Sequence, residues 1–138
     1  MSLNIKIIAP DKTVWDAKAE EIVLPSSTGQ LGILSGHAPL LTALDIGVMR
    51  VRVQKEWMPI VLLGGFAEIE NNEITILVNG AEEISDINSS KVKVDLQQAT
   101  TMLNTALTNK DKIGATQNIR KARARMQAIT MHKVSQIS

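Results

Sequence analysis

The side chains that could carry out acid–base, nucleophilic or metal chemistry are few and lie far apart in this sequence. His37 and His132 are the only histidines, they fall in different segments, and there is no cysteine. A zinc site needs three or four converging nitrogen, sulfur or carboxylate ligands, so we expect no metal. The absence of a Gly-Lys pair excludes a P-loop, and Gly29-Gln30-Leu31-Gly32 lacks the βαβ context of a dinucleotide site. We therefore predict a protein without catalytic activity and without a cofactor.

The strongest cluster of charge lies near the C-terminus and is basic. It consists of Arg120, Lys121, Arg123 and Arg125. On a helix, Arg120 and Arg123 share one side and Lys121 and Arg125 another. The cluster is either a solvated helix face or a contact for an acidic partner. Nucleic-acid binding is disfavoured because the segment has no aromatic side chain on which a base could stack.

A second candidate site is the glycine-rich stretch from Thr28 to Pro39, which contains His37. Its apolar side chains lie among glycines with few charges nearby. The stretch is either a plain turn with a bulge or a contact surface. For His37 three roles stay open: a hydrogen bond to the backbone of a turn, a partner contact, or catalysis.

The elements that must position these residues change in character near Asn88. From Leu3 to about Ser85, short apolar runs separated by turn residues predict a β-sandwich of nine or ten short strands. The clearest alternation puts Met49, Val51 and Val53 on one face of a strand. We expect Gly64-Gly65 to fold the chain back on itself, and Asn71-Asn72 to form a tight hairpin turn.

Beyond Asn88 the spacing of apolar residues becomes helical. Asn88 or Ser89 is a good helix N-cap, and two runs of apolar residues then repeat at spacings of 4, 3, 4 and 3. We expect the break between the helices at residues 108–112 and an antiparallel pairing of the two. The hairpin should be weakly held, because four of the ten seam residues are alanine. The seam residues are Val92, Leu96, Ala99, Leu103 and Ala106, then Ala115, Ile119, Ala122, Met126 and Ile129.

Composition fits a globular protein with charge divided unevenly along the chain. Of 138 residues, 44% are hydrophobic and 21% charged. Residues 1–88 hold six Lys and Arg against twelve Asp and Glu, whereas residues 89–138 hold nine against two. The two parts therefore face different partners or one another. We expect neither a secretory signal nor a membrane span, because no apolar run is long enough.

Several motifs together resemble the epsilon-subunit family of F-type ATP synthases. They are Gly29 to Thr42, Gly64-Gly65-Phe66-Ala67 and Thr75-Ile76-Leu77-Val78. The chloroplast and cyanobacterial branch of the family is indicated by two further stretches, Thr13 to Asp16 and Asp45 to Arg52. The resemblance implies a flattened ten-stranded β-sandwich followed by a two-helix hairpin, with domains at 1–87 and 88–138. It also implies a non-catalytic subunit of the rotating central stalk, peripheral to the thylakoid membrane, with one copy per complex.

The resemblance further implies contacts for particular residues. Gly29, Gln30, Leu31 and Gly32 would rest on the c-ring, with Gln30 in place of a glutamate that is frequent in bacterial relatives. Ala9, His37 and Thr42 would face the gamma subunit. In an extended hairpin, Arg120, Lys121, Arg123 and Arg125 would reach the beta subunit and inhibit ATP hydrolysis.

One motif of the family is degenerate here. Some bacterial relatives bind ATP through an Ile/Leu-Asp-x-x-Arg-Ala motif, and the matching stretch is Val94, Asp95, Leu96, Gln97, Gln98 and Ala99. Gln98 replaces the arginine, and a neutral amide cannot make its charge-assisted contact to phosphate. We predict no ATP binding at physiological concentrations. The rival hypothesis is an independent small-ligand-binding or hydrolytic sandwich whose site is the loop from Gly29 to His37.

Overall fold

The computed structural model describes the backbone of residues 2–137 and the side chains of residues 2–134. An all-β part comes first, and a short 3₁₀ helix at Ile84–Asp86 links it to two helices. The strands are β1 (Leu3–Ala9), β2 (Lys12–Ala19), β3 (Glu21–Ser26), β4 (Gly29–Leu34), β5 (Leu40–Val53), β6 (Glu56–Glu70), β7 (Glu73–Val78) and β8 (Ala81–Glu83), and the helices are α1 (Ser89–Thr105) and α2 (Asn109–Ile137).

The strands form one continuous ladder that folds over itself into two layers. The order is β2-β1-β7-β6-β5-β3-β4, and β8 also pairs with β6. The two long strands belong to both layers, because β6 pairs with β8 through residues 60–62 and with β7 through residues 65–70. All pairs are antiparallel except β1 with β7. The β-sandwich followed by a helical hairpin is confirmed.

The predicted number of strands was too high. Within the described residues there are eight strands, not ten, because β5 and β6 are long and β6 runs through Gly64-Gly65, where we expected the chain to fold back. Gly64-Gly65 does not reverse the chain but bends β6 where it passes from one layer to the other. A Cβ at residue 65 would overlap the carbonyl oxygen of Leu77, and the φ of Gly65 is +152°. Only glycine fits this bend.

The main core lies between the two layers and follows the alternation seen in the sequence. Met49 and Val51 point inward, while Arg50 and Arg52 lie on the outer face of the same strand. The predicted hairpin turn at Asn71-Asn72 is confirmed, because both residues have positive φ and join β6 to β7.

The two helices begin with side-chain caps. The backbone N–H of Lys91 donates to Asn88 Oδ1 at 3.1 Å, which confirms Asn88 as the N-cap of α1. The break is shorter than predicted, because residues 109–112 already belong to α2. Thr108 Oγ1 accepts from the backbone N–H of Asp111 at 3.1 Å, so a hydroxyl in the predicted break starts the next helix.

Helix α2 packs on α1 and also on the sandwich. Of its five predicted seam residues, Ala115, Ile119 and Ala122 are buried, while Met126 and Ile129 are half-buried. A further pair, Ala124 and Ala128, is buried against Val48 and Val61 on the outer face of β5 and β6. We had not predicted this second contact. The buried residues that α2 contributes to it are alanines, so the apolar area that each of them buries is modest, and the half-buried Ile84, Ile87 and Met131 pack around them.

Candidate interaction surfaces

An apolar row crosses four strands on the outer face of the layer that contains β1. Ile8 pairs with Leu77, Leu77 with Phe66, and Phe66 with Ala43. Phe66 is the only phenylalanine of the chain, and 57% of it is exposed. Leu77 is 52% exposed, and Leu41, two residues before Ala43 on the same face of β5, is 69% exposed. Large apolar side chains gathered on a surface in this way are typical of a protein interface.

Four of these residues border an open groove of about 620 Å³ that Ala9 also lines, namely Ile8, Ala43, Phe66 and Leu77. We call Leu41, Ala43, Phe66, Leu77 and Ile8 the apolar row. Sequence reasoning missed Phe66 and Leu77 as site residues. The sequence did contain a signal. Phe66 and Leu77 are apolar, yet strand alternation places them on the face opposite the inward-facing Ala67 and Ile76.

The three residues expected at the gamma subunit do not form one cluster. Ala9 lies at the groove, beside Leu77. His37 lies near the other end of the layer, since the next residue back, Gly36, donates its N–H to Asn72 Oδ1 at 2.6 Å. The Thr42 hydroxyl donates to the carbonyl oxygen of Ala43 at 3.3 Å, and its side chain faces away from the apolar row. Its neighbours, Leu41 and Ala43, occupy that face instead.

His37 itself makes a local contact. Its Nδ1 lies 2.7 Å from the carbonyl oxygen of Ala38, and the ring is half-buried. This geometry matches the first of the three roles that the sequence left open, a histidine hydrogen-bonded to the backbone of a turn. No carboxylate or hydroxyl partner of the kind that a catalytic histidine needs is hydrogen-bonded to it in the described part of the chain.

The four residues expected at the c-ring form a strand, not a loop. Gly29–Leu34 is the edge strand β4, paired on one side with β3. Leu31 packs against the core, while Gln30 is exposed. A Cβ at Gly32 would meet nothing within 4 Å, so nothing inside the molecule requires glycine there. The small residue leaves this edge open to the close approach of another chain.

The four basic residues of α2 divide into two pairs, as predicted. Arg120 and Arg123 are exposed, whereas Lys121 and Arg125 are half-buried. Arg125 donates from Nε to Glu82 Oε1 at 2.6 Å and from Nη2 to Glu82 Oε2 at 2.7 Å. A bidentate pair of this kind is among the stronger side-chain contacts. Glu82 belongs to β8, so this pair, the Arg125–Glu82 latch, ties the hairpin to the sandwich.

The latch also changes the acidity of its arginine. The hydrogen bonds to Glu82 raise the pKa of Arg125, and the charges of Glu82 and Asp95 add to this while burial opposes it. An arginine is charged at any physiological pH. We call the hairpin docked when α2 packs on the sheet. In the docked hairpin Arg125 is therefore already ion-paired with an acidic residue of its own chain.

The residues of the degenerate ATP motif lie on α1, and three of them face a cavity between the helices. Asp95, Gln98 and Ala99 line it together with Lys121 and Arg125, whereas Val94 is exposed on another side. The volume is about 250 Å³, below the range of roughly 300–1,000 Å³ that is usual for ligand pockets. That ATP does not bind there stays a prediction, which rests on the neutral Gln98.

Neither a metal centre nor a membrane helix is found in the part of the chain that the structure describes. No three histidine, aspartate or glutamate side chains come close enough there to hold a metal ion. Neither α1 nor α2 is apolar enough over a sufficient length to cross a bilayer.

Comparison with known proteins decides the family. Residues 2–84 match the family described as the beta-sandwich domain of the ATP synthase delta/epsilon chain. The chain belongs to the ATP synthase delta/epsilon family. The sequence resemblance is thereby confirmed, and the rival hypothesis of an independent hydrolytic or ligand-binding sandwich receives no support.

Relatives in the delta/epsilon family match along most of the chain. The chloroplastic ATP synthase epsilon chain of Porphyra purpurea is 75% identical over 130 residues, which are 94% of this chain and 97% of the relative. The ATP synthase epsilon chain of a Cyanothece species is 59% identical over 131 residues, 93% of this chain and 95% of the relative. The same fold occurs in the Euglena gracilis mitochondrial ATP synthase structure of OSCP, F1 and the c-ring, with a TM-score of 0.83, 18% identity and coverage of 93% and 81%.

Proposed function

We propose that this chain is a non-catalytic subunit of the central stalk in a chloroplast or cyanobacterial ATP synthase. The apolar row carries the proposal, since an exposed phenylalanine and two exposed leucines on one sheet face need a partner. The partner is the gamma subunit, and the groove beside Ala9 receives it. The relatives named epsilon chain and the c-ring assembly that shares the fold support this assignment.

The two parts of the chain have separate tasks in this proposal. The sandwich, residues 1–87, couples rotation by holding gamma with the apolar row and the c-ring with the edge at Gly29 to Gly32. The helical part, residues 88–138, regulates. Opposite charge imbalances in the two parts favour different partners, as the residue counts indicate. The subunit is present once per complex, meets the thylakoid membrane only through the complex, and binds no nucleic acid.

Regulation follows from the basic residues of α2. In the docked hairpin Arg120 and Arg123 are exposed, and Arg125 is held by Glu82. When the hairpin undocks and extends along gamma, all three arginines and Lys121 become available to acidic segments of the beta subunit and the neighbouring alpha subunit. The extended form inhibits ATP hydrolysis in this way.

A binding assay with purified gamma subunit tests the assignment. The full chain should capture gamma tightly in a pull-down and should show no hydrolytic turnover of its own on nucleotide or ester substrates. Turnover by the isolated chain, together with no retention of gamma, would contradict the proposal and would favour an independent enzyme.

A further inference from the structure

A second cavity lies where helix α2 leaves the sheet. On the outer face of β5 and β6, Val48 pairs with Val61 and both are buried under α2. The next pair along the same face, Arg50 and Pro59, borders a cavity of about 540 Å³ instead. The cavity is therefore a continuation of the helix–sheet interface that the protein's own described side chains leave unfilled. Its lining includes Arg50, Trp57 and Pro59 from the sheet, and Gln127, Thr130 and Met131 from α2.

The lining combines an apolar wall with a single type of charge. Trp57, Pro59 and Met131 supply apolar surface, and among the side chains that the structure describes no acidic one lines the cavity. The guanidinium of Arg50 lies 5.4 Å from the centroid of the Trp57 ring. In the described part of the chain Arg50 has no carboxylate within ion-pair distance, whereas its neighbour Arg52 is paired with Glu21 at 2.9 Å. Arg50 is thus a cation at an apolar cavity, with no counter-charge from residues 2–134.

We propose that this cavity binds a single-chain amphiphilic anion of the fatty-acid class. The carboxylate pairs with Arg50, and the hydrocarbon chain lies along Trp57, Pro59 and Met131. The volume is within the range of roughly 300–1,000 Å³ that is usual for ligand pockets. Charge complementarity selects an anion over a cation, and the apolar wall selects an alkyl chain over a small inorganic ion.

Occupancy of this site favours the docked hairpin. The cavity exists only while α2 lies over β5 and β6, so a ligand that fills it binds the docked form and not the undocked form. Binding to one form alone shifts the equilibrium by mass action. The inference concerns the isolated chain and does not depend on the assignment to the central stalk.

Intrinsic fluorescence tests the proposal on the full chain. The chain has two tryptophans, so Trp15→Phe leaves Trp57 as the only reporter. Laurate below its critical micelle concentration should change the Trp57 emission saturably and slow hydrogen exchange in α2. Dodecyltrimethylammonium, with the same chain and the opposite charge, should produce neither effect.

Arg50→Gln should weaken laurate binding by about tenfold or more, because a charge-assisted contact is lost. Lys18→Gln, an equal change of charge on β2, should leave it unchanged.

A second variant addresses the cavity itself. Gln127→Phe places an aromatic ring at an exposed helix position on the cavity rim and should weaken laurate binding, whereas Gln117→Phe, at an exposed position elsewhere on α2, should not. Four results would overturn the proposal: no saturable change in emission, equal binding of the cationic amphiphile, unaltered binding by Arg50→Gln, or loss of the far-ultraviolet circular dichroism signal at the same laurate concentrations. The last would mean that laurate unfolds the chain.

Discussion

Glu82→Gln is the substitution that isolates the Arg125–Glu82 latch. Both hydrogen bonds of the latch go to carboxylate oxygens, at 2.6 and 2.7 Å. Glutamine keeps the shape of the side chain but removes the charge and one acceptor. Hydrogen bonds to charged groups contribute about 1.5–3 kcal/mol when buried. Because the side chains of Arg125 and Glu82 are 24% and 22% exposed, solvent screening reduces this to about 1–1.5 kcal/mol.

A loss of that size changes the docking equilibrium of the hairpin by roughly five- to tenfold. Hydrogen exchange of backbone amides in α2 should accelerate by a similar factor, while β1 and β7 exchange as before. Glu70→Gln is the matched control, because Glu70 is exposed on β6 and lies outside the contacts of the hairpin. If Glu82→Gln and Glu70→Gln give the same exchange rates in α2, the latch does not hold the hairpin.

The same change separates docking from inhibition. In the assembled ATPase, Glu82→Gln should lower ATP hydrolysis, because more of the subunit is extended and inhibitory. Arg125→Gln opens the hairpin equally in the isolated chain but also removes an inhibitory contact. It should therefore inhibit less than Glu82→Gln does. Equal inhibition by the two variants would mean that Arg125 does not contact the beta subunit.

Three further outcomes are expected. In urea titrations, Gly65→Ala should destabilise the sandwich by roughly 3 kcal/mol or more, because a Cβ at residue 65 overlaps the Leu77 carbonyl. In the same titrations Gly114→Ala should stabilise the chain by about 0.5–1 kcal/mol, because a Cβ at residue 114 meets nothing within 4 Å. Deleting residues 89–138 should preserve assembly and proton coupling but raise ATP hydrolysis. Neutralising Arg120, Arg123 and Arg125 together should reproduce part of this rise. Unchanged hydrolysis in both variants would exclude the inhibitory role. Calorimetry of the isolated chain should detect no saturable ATP binding with a dissociation constant below about 1 mM, which corresponds to a binding free energy of about −4 kcal/mol. A sub-millimolar isotherm would contradict the role given to Gln98.

The sequence predicted the parts of the fold in which periodicity and turn chemistry agree. The alternation of Met49 and Val51 with Arg50 and Arg52 placed one face of β5 in the core. Asparagine tolerates positive φ, so Asn71-Asn72 was recognisable as a hairpin turn. The turn at Gln54-Lys55 has the same positive φ at both residues but ordinary side chains. It is held by a contact distant in sequence, from the Lys55 N–H to Glu20 at 3.0 Å.

The missed features depend on tertiary contacts that no local pattern encodes. Gly64-Gly65 looks like a turn, and only the proximity of β7 shows that these glycines bend a continuous strand. Ala124 and Ala128 lie outside the predicted seam, since they face the sheet and not α1. Arg125 was correctly placed apart from Arg120 and Arg123, but its partner lies 43 residues earlier in the chain. Its pairing could not be deduced from helix geometry.

Affinity for the gamma subunit measures the proposed role of the apolar row most directly. Phe66→Ser removes the central ring of that row, and Leu107→Ser is the control, because Leu107 is 95% exposed in the turn between the helices, far from the row in sequence and fold. Buried aromatic anchors contribute about 2 kcal/mol or more to an interface. Phe66→Ser should therefore weaken gamma binding about thirtyfold or more, with Leu107→Ser and the parent chain binding alike. Equal affinity of all three would contradict the proposal that this face of the sandwich docks on the rotor.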